Sequence, residues 1–146
     1  MANSKNALSV LSIDELIPIL DSISDAIFID DAQGFTIWIN KASEELYKIK
    51  RKDIIGKHVS FLEREGIFTP SVARLVMEQR KELSIIHENK DGKRLLTTGI
   101  PIVDARGNMS KIITTTHDIT ELINLQNELE SVQNTLFGLR PQDDLG

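Results

Sequence analysis

Residues 109–122 read Met109-Ser110-Lys111-Ile112-Ile113-Thr114-Thr115-Thr116-His117-Asp118-Ile119-Thr120-Glu121-Leu122. From Met109 to His117 the stretch is dominated by β-branched side chains, the composition of a strand. The pattern then changes. Leu122, Leu125, Leu129, Val132 and Leu136 recur at spacings of 3, 4, 3 and 4, a period of about 3.5 residues that suits a coiled-coil seam better than a globular face. A long strand thus runs directly into an amphipathic helix over 120–137, followed by an unstructured tail at 138–146.

Working back toward the N-terminus, Asp104-Ala105-Arg106-Gly107 is a turn, and Arg94 to Val103 is the preceding strand. Asn89-Lys90-Asp91-Gly92 is a hairpin signal between it and the alternating run Leu83 to Glu88. Thr69-Pro70 resembles a helix start with proline at the first helical position. Val72, Leu75 and Val76 then share one side of that helix. Asn40 can cap a helix over Lys41–Tyr47. Lys48, Lys50, Arg51 and Lys52 follow it and read as a solvated helix end, with cations at the negative end of the helix dipole. Ala26–Asp31 and Phe35–Ile39 form a hairpin across a turn containing Gly34. Ser12-Ile13-Asp14-Glu15 is a capping box that opens an amphipathic helix through Leu16, Ile17, Leu20 and Ile23, interrupted by Pro18. Residues 1–11 are a polar lead-in. The resulting order is two short strands, a helical middle and three longer antiparallel strands, an α+β domain with helices on one face of the sheet.

Composition narrows the function. The 146 residues are enough for one domain, which at this size buries roughly 70% of its extended surface without staples. Seventeen basic residues against 22 acidic ones leave a net charge of −5, which argues against nucleic acid or an anionic membrane as direct partners. The chain has no cysteine, so disulfides, thiolate metal sites and thiol nucleophiles are excluded. Its histidines are His58, His87 and His117, and no two share a helical turn. The glycines are not spaced for a dinucleotide fingerprint or a phosphate loop, and no nucleophile elbow occurs. No apolar run is long enough to span a membrane and no signal peptide is recognisable, so the expected address is cytoplasmic. The expectation is a protein that is not an enzyme.

The element order, with Asp31-Ala32-Gln33-Gly34 after the first strand and Asn40 closing the second, resembles a PAS domain over about Asp14 to Glu121. The most specific part is Asp118-Ile119-Thr120-Glu121, the junction of last strand and outgoing helix in that family. Three further stretches are similar to the sensor modules at the N-terminus of sigma-54-dependent transcriptional activators: Glu88 to Lys93, Thr98 to Asp104, and His117 to Leu122. The expected fold is therefore a PAS-like five-stranded antiparallel sheet with helices on one face, flanked by an N-terminal amphipathic helix and a C-terminal coiled-coil helix. The PAS domain with its N-terminal helix occupies 12–119 and the signalling helix 120–137.

The resemblance implies a sensor that detects a small molecule or protein signal and controls a transcriptional output, covalently attached or in a partner. A ligand-free dimerisation scaffold, or the sensor of a histidine kinase or diguanylate cyclase, are the rivals. The family's strand facing, carried onto this chain, turns Phe28, Asp30, Ile85, His87, Leu95, Thr97, Gly99, Ile112, Thr114 and Thr116 inward. It implies a polar ligand of unknown identity held by Asp30, His87, Thr97 and Thr116 against walls from Phe28, Val72 and Leu75. Asp30 is the odd member, because a lone buried carboxylate must find a donor. A cysteinyl-adduct flavin is excluded, haem is disfavoured because 69–81 carries no histidine, and no metal site is expected. Asp118 and Thr120 would cap the signalling helix and relay the signal. Leu122, Leu125, Leu129 and Val132 would form a homodimer interface with the N-terminal helix and the outer sheet face.

Overall fold

The computed structural model describes residues 10–138. Residues 1–9 of the expected lead-in and 139–146 of the expected tail lie outside the described residues. Helix α1 is Ile13–Ser22, strands β1 and β2 are Ala26–Asp31 and Thr36–Ile39, and the helical middle holds α2 (Lys41–Tyr47), α3 (Arg51–Ile54), α4 (Val59–Arg64) and α5 (Val72–Gln79). Strands β3 (Leu83–Glu88), β4 (Arg94–Val103) and β5 (Met109–Asp118) follow, and α6 (Thr120–Leu136) ends the fold. The five strands form one sheet in the order β2-β1-β5-β4-β3. This is the α+β architecture expected from the sequence.

Local signals account for most boundaries. Ser12 Oγ accepts the Glu15 N–H at the start of α1, and Asn40 Oδ1 accepts the Ser43 N–H at the start of α2, both as N-caps do. Pro18 lies inside α1, which continues past it to Ser22. Asp31 Oδ1 accepts the N–H groups of Gln33 and Phe35, and Gly34 takes φ +94°, closing the β1–β2 turn with the residue best able to do so.

Three expectations are corrected. Phe35 does not belong to β2. It forms an isolated bridge with His58, so the chain after α3 pairs with the start of β2. Pro70 precedes the N-cap of α5, which is Ser71, whose Oγ accepts the Arg74 N–H. The hydroxyl next in line, and not the proline, satisfies the orphan donor. The basic run is a solvated helix end at Lys48, Lys50 and Lys52, which are exposed, but not at Arg51. Lys48 is the left-handed cap of α2 and Arg51 opens α3. Arg51 is drawn inward: its Nε donates to the Ile39 carbonyl, its Nη2 pairs with Asp21 of α1 at 2.7 Å, and its guanidinium stacks on Trp38 at 4.0 Å. These bonds and the cation–π contact replace the solvation that a surface arginine would have.

The described chain divides into two compact units. One runs to Ile85 and resumes over Thr97–His117. The other consists of Ile86–Leu96 and the segment from Asp118 onward. In the first, two apolar clusters cover the inner face of the sheet. Val59, Val72, Ala73, Val76 and Ile112 form one, and Phe28, Ile39, Ile54 and Leu62 the other. Gly99 of β4 makes the first possible: a Cβ built there would lie 2.6 Å from Val76 and 2.8 Å from Val72, so α5 rests directly on this strand. In the second unit, the Asn89 side chain accepts from Asp91 and Lys93 to close the β3–β4 turn.

Candidate functional site

The antiparallel pairing of β1 with β5 sets Asp30 opposite Ile112, Phe28 opposite Thr114 and Ala26 opposite Thr116. Side chains alternate faces along a strand, and Ala26, Phe28 and Asp30 are all buried. The inward register expected for β1, β4 and β5 is therefore the observed one within this unit. The inner face carries polar groups where a packed sheet would carry hydrocarbon.

A chain of hydroxyls crosses it. Tyr47 Oη lies 3.0 Å from Thr116 Oγ1, which lies 3.1 Å from Thr97 Oγ1. Burial pushes the Tyr47 hydroxyl pKa up, against the opposing effect of the Thr116 and Thr97 hydrogen bonds. The Phe28, Tyr47 and Phe68 rings meet edge to face with centroids 5.6–6.0 Å apart, building an aromatic wall beside these hydroxyls.

Asp30 is 1% exposed. Thr36 Oγ1 donates to its Oδ1 at 2.8 Å. A register shift between Ile29 and Asp30 brings Thr36 opposite the carboxylate. Burial raises the Asp30 pKa to about 7; the Thr36 hydrogen bond opposes this, the charge of Asp31 adds to it, and that of His58 lowers it. Nearby, the Ser60 N–H donates to His58 Nδ1, so the proton sits on Nε2, which donates to the Gln33 carbonyl. Both nitrogens of that ring are engaged in the loop.

Three buried side-chain atoms among the described residues have no hydrogen-bond partner: Asp30 Oδ2, Thr114 Oγ1 and Trp38 Nε1. Trp38, opposite Ile29 on β1, lies on the other face under Arg51. The remaining two share the inner face. Asp30 and Thr114 are diagonal neighbours across β1 and β5, a separation of about 7–8 Å between Cα atoms. Sequence reading names Asp30, Thr97 and Thr116 for this face, and all three are buried there. It does not name Tyr47 or Thr114 as ligand residues. The alternation that turns Thr116 inward applies equally to Thr114. Val72 is buried on α5, and Leu75 is half-buried on the same helix.

His87 belongs to the other unit, half-buried on β3, and desolvation lowers its pKa. In the same unit the strand-to-helix junction is tightly bonded. Asp118 Oδ1 accepts both the N–H and the Oγ1–H of Thr120, at 3.0 and 2.6 Å. Thr120 Oγ1 accepts the Arg94 N–H, and the Ile119 N–H donates to the Arg94 carbonyl. Asp118 and Thr120 are thus brought together as expected. The position before α6 is Ile119, which has no capping side chain, and Asp118 reaches past it. Along α6, Leu122, Leu125, Leu129, Val132 and Leu136 are 54–73% exposed. No helix among the described residues is long and apolar enough to cross a membrane.

Comparison with known proteins gives a consistent result. A family model described as a PAS domain matches residues 24–121. No curated protein matches. Among solved structures, the PAS domain of a protein from Colwellia psychrerythraea is 27% identical, with a TM-score of 0.54 over 75% of this chain and 98% of that one. The PAS domain of BvgS from Bordetella pertussis is 20% identical, with a TM-score of 0.58 over 84% of this chain and 97% of that one. A sensory box sensor histidine kinase from Vibrio cholerae is 18% identical, with a TM-score of 0.55 over 81% of this chain and 99% of that one. The last two likenesses concern the fold alone.

Proposed function

The chain belongs to the PAS domain family, and from that premise we propose that it is a ligand-binding, dimeric sensor whose signal is a small polar molecule held on the inner face of β1, β5 and β4. The observation that carries this reading is the pair of buried atoms without a protein partner, Asp30 Oδ2 and Thr114 Oγ1. Each costs about 1–3 kcal/mol when left unbonded. A scaffold with no ligand would be more stable with hydrocarbon at both positions. Asp30, Thr114, Thr116, Thr97 and Tyr47 supply the polar contacts, and Phe28, Val72 and Leu75 the walls.

The output reading rests on α6. Its five exposed apolar positions fall on the a and d positions of a heptad, which places Glu121 and Glu128 at g and Gln126 and Gln133 at e. In a parallel pair the g positions face e positions of the partner, Glu against Gln. In an antiparallel pair the glutamates would face each other. The pattern therefore favours a parallel homodimer. The segments Glu88–Lys93, Thr98–Asp104 and His117–Leu122, similar to sensors of sigma-54-dependent activators, support a transcriptional output domain as the controlled partner. DNA contact then belongs to that domain, since the chain itself carries a net charge of −5.

Native mass spectrometry of the purified chain tests the sensor reading. The expected spectrum is a dimer carrying a small non-covalent adduct that Thr114→Val and Asp30→Asn both weaken. A bare chain, with Thr114→Val simply stabilising it and no compound from a metabolite library altering its melting, would refute ligand binding and leave the scaffold role.

A further inference from the structure

We propose that the molecule recognised on the inner face carries a protonated amine, an ammonium seated on Asp30, with an apolar body against Phe28. The proposal rests on the ligand-binding reading above and adds the chemical class. Its basis is the juxtaposition of a solvent-excluded carboxylate oxygen, a solvent-excluded hydroxyl on the neighbouring strand, and the lack of any protein cation paired with either among the described residues.

Asp30 takes part in no ion pair among the described residues. Its Oδ1 has the Thr36 hydroxyl, and its Oδ2 has nothing. The ionisable neighbours are committed elsewhere. Asp31 closes the β1–β2 turn, and both nitrogens of His58 are bonded to Ser60 and Gln33. Opposite on β5 stands Ile112, fully buried, within the apolar cluster that α5 completes. A neutral donor would satisfy the geometry of Oδ2 but leave the buried charge uncompensated. A cation satisfies both, since charge-assisted hydrogen bonds are roughly twice as strong as neutral ones. The carboxyl pKa of about 7 shows that burial outweighs the Thr36 hydrogen bond and the charge of His58, which together leave the carboxylate under-compensated. An ammonium has three donors. One meets Asp30, which leaves others for polar groups on the same wall, where Thr114 Oγ1 offers lone pairs.

Three probes with short alkyl bodies and different head groups separate the alternatives: n-butylammonium chloride, 1-butanol and sodium butyrate, titrated into the isotope-labelled full chain while backbone amides are followed by NMR. The expected result is saturable shifts at Asp30, Thr114 and Thr116 with n-butylammonium, binding at least tenfold weaker with 1-butanol, and none at those residues with butyrate. Asp30→Asn is expected to weaken n-butylammonium at least tenfold and leave 1-butanol unchanged. Equal binding of alcohol and amine, or an amine affinity unchanged in Asp30→Asn, overturns the amine class while leaving a ligand site in place. No shift at these residues with any probe overturns the amine proposal and the ligand-binding reading together. Should Asp30→Asn fail to fold, the three-probe comparison on the unsubstituted chain still decides between amine and alcohol.

Discussion

Asp30→Asn is the substitution from which the most can be calculated. In the folded protein the carboxyl holds its proton up to a pH of about 7, while its ordinary pKa is 3.8. Between those values the folded state binds more protons than the unfolded one, so stability falls as pH rises. The contribution is fully present below 3.8 and is lost as pH rises through about 7. At about 1.4 kcal/mol per pH unit, the whole window is worth about 4 kcal/mol, of which about 3 kcal/mol lies between pH 5 and pH 8. Asparagine has nearly the same shape, keeps an Oδ1 to accept from Thr36, and never ionises. Its Nδ2 leaves two donors without a partner where the protonated acid leaves one, a difference that is the same at every pH and drops out of the slope. The other carboxylates are common to both proteins and drop out of the difference. Urea unfolding of the dialysed, ligand-free protein and its Asp30→Asn variant at pH 5, 6, 7 and 8 should therefore show the variant gaining about 3 kcal/mol on the parent across that range. Parallel curves, differing by a constant, would refute the claim that Asp30 is ionised at a cost in the folded state. The same experiment with saturating n-butylammonium should flatten the parent's slope, because a bound cation favours the carboxylate.

Other substitutions test the frame around the site. Gly99→Ala places a methyl group within 2.6 Å of Val76 and 2.8 Å of Val72 and should cost about 1–3 kcal/mol in urea unfolding, with Val76→Ala partly rescuing it. Asn40, fully buried, accepts from the Ile27 and Ser43 N–H groups and donates to the carbonyls of Leu20 and Asp25. Asn40→Ala leaves these groups unpaired and should cost at least about 3 kcal/mol, read as a drop in melting temperature. On the proposed dimeric reading, light scattering at tens of micromolar should show a dimer that Leu125→Asp or Leu129→Asp converts to monomer and that substitutions at Lys48 or Lys52 do not.

Legibility varies along the chain for physical reasons. Strands β3 to β5 can be read because alternation and turn chemistry act within a few residues: Asn89 and Asp104 close their turns by bonding to their own neighbours. Asn40 is readable as a cap, yet its larger role is not. Its bonds to Leu20, Ile27 and Asp25 span 13 to 20 residues, and no local pattern encodes them. Arg51 escapes a local reading for the same reason, since Asp21 and Trp38 are distant in sequence. In the site, parity alone places Asp30, Thr97 and Thr116 correctly. Thr36 as the partner of Asp30 depends on a bulge in β2, which a regular alternation cannot anticipate. Tyr47 reads only as the apolar face of a short helix, because nothing in the sequence says where its hydroxyl ends.

The most informative feature is that the polar inner face and the exit of the domain are on one strand. Thr114 and Thr116 face inward on β5, and the same backbone continues through His117 to Asp118 and the first turn of α6. His117 bonds Asp25, in the link between α1 and β1, at 2.7 Å, so the outer side of that strand end is anchored to the N-terminal helix region. A ligand that changes what Thr114 and Thr116 bond to acts on the backbone a few residues before the junction held by Asp118 and Thr120. On the proposed reading the signal runs along the β5 backbone itself, whose residues are about 3.4 Å apart. A ligand shifts such an equilibrium only by as much as it binds one arrangement better than the other. The differential contacts on the proposed reading are those to Asp30 and Thr114, the two groups unsatisfied without it. Thr116→Val should therefore separate the roles. It removes the hydroxyl joining Tyr47 to Thr97 but leaves Asp30 and Thr114 in place, so n-butylammonium should still bind within a fewfold of the parent affinity. The amide shifts that the probe induces at Asp118 and Thr120 should shrink. Loss of binding in this variant, or undiminished shifts at the junction, would show that β5 does not carry the signal through its inner hydroxyls.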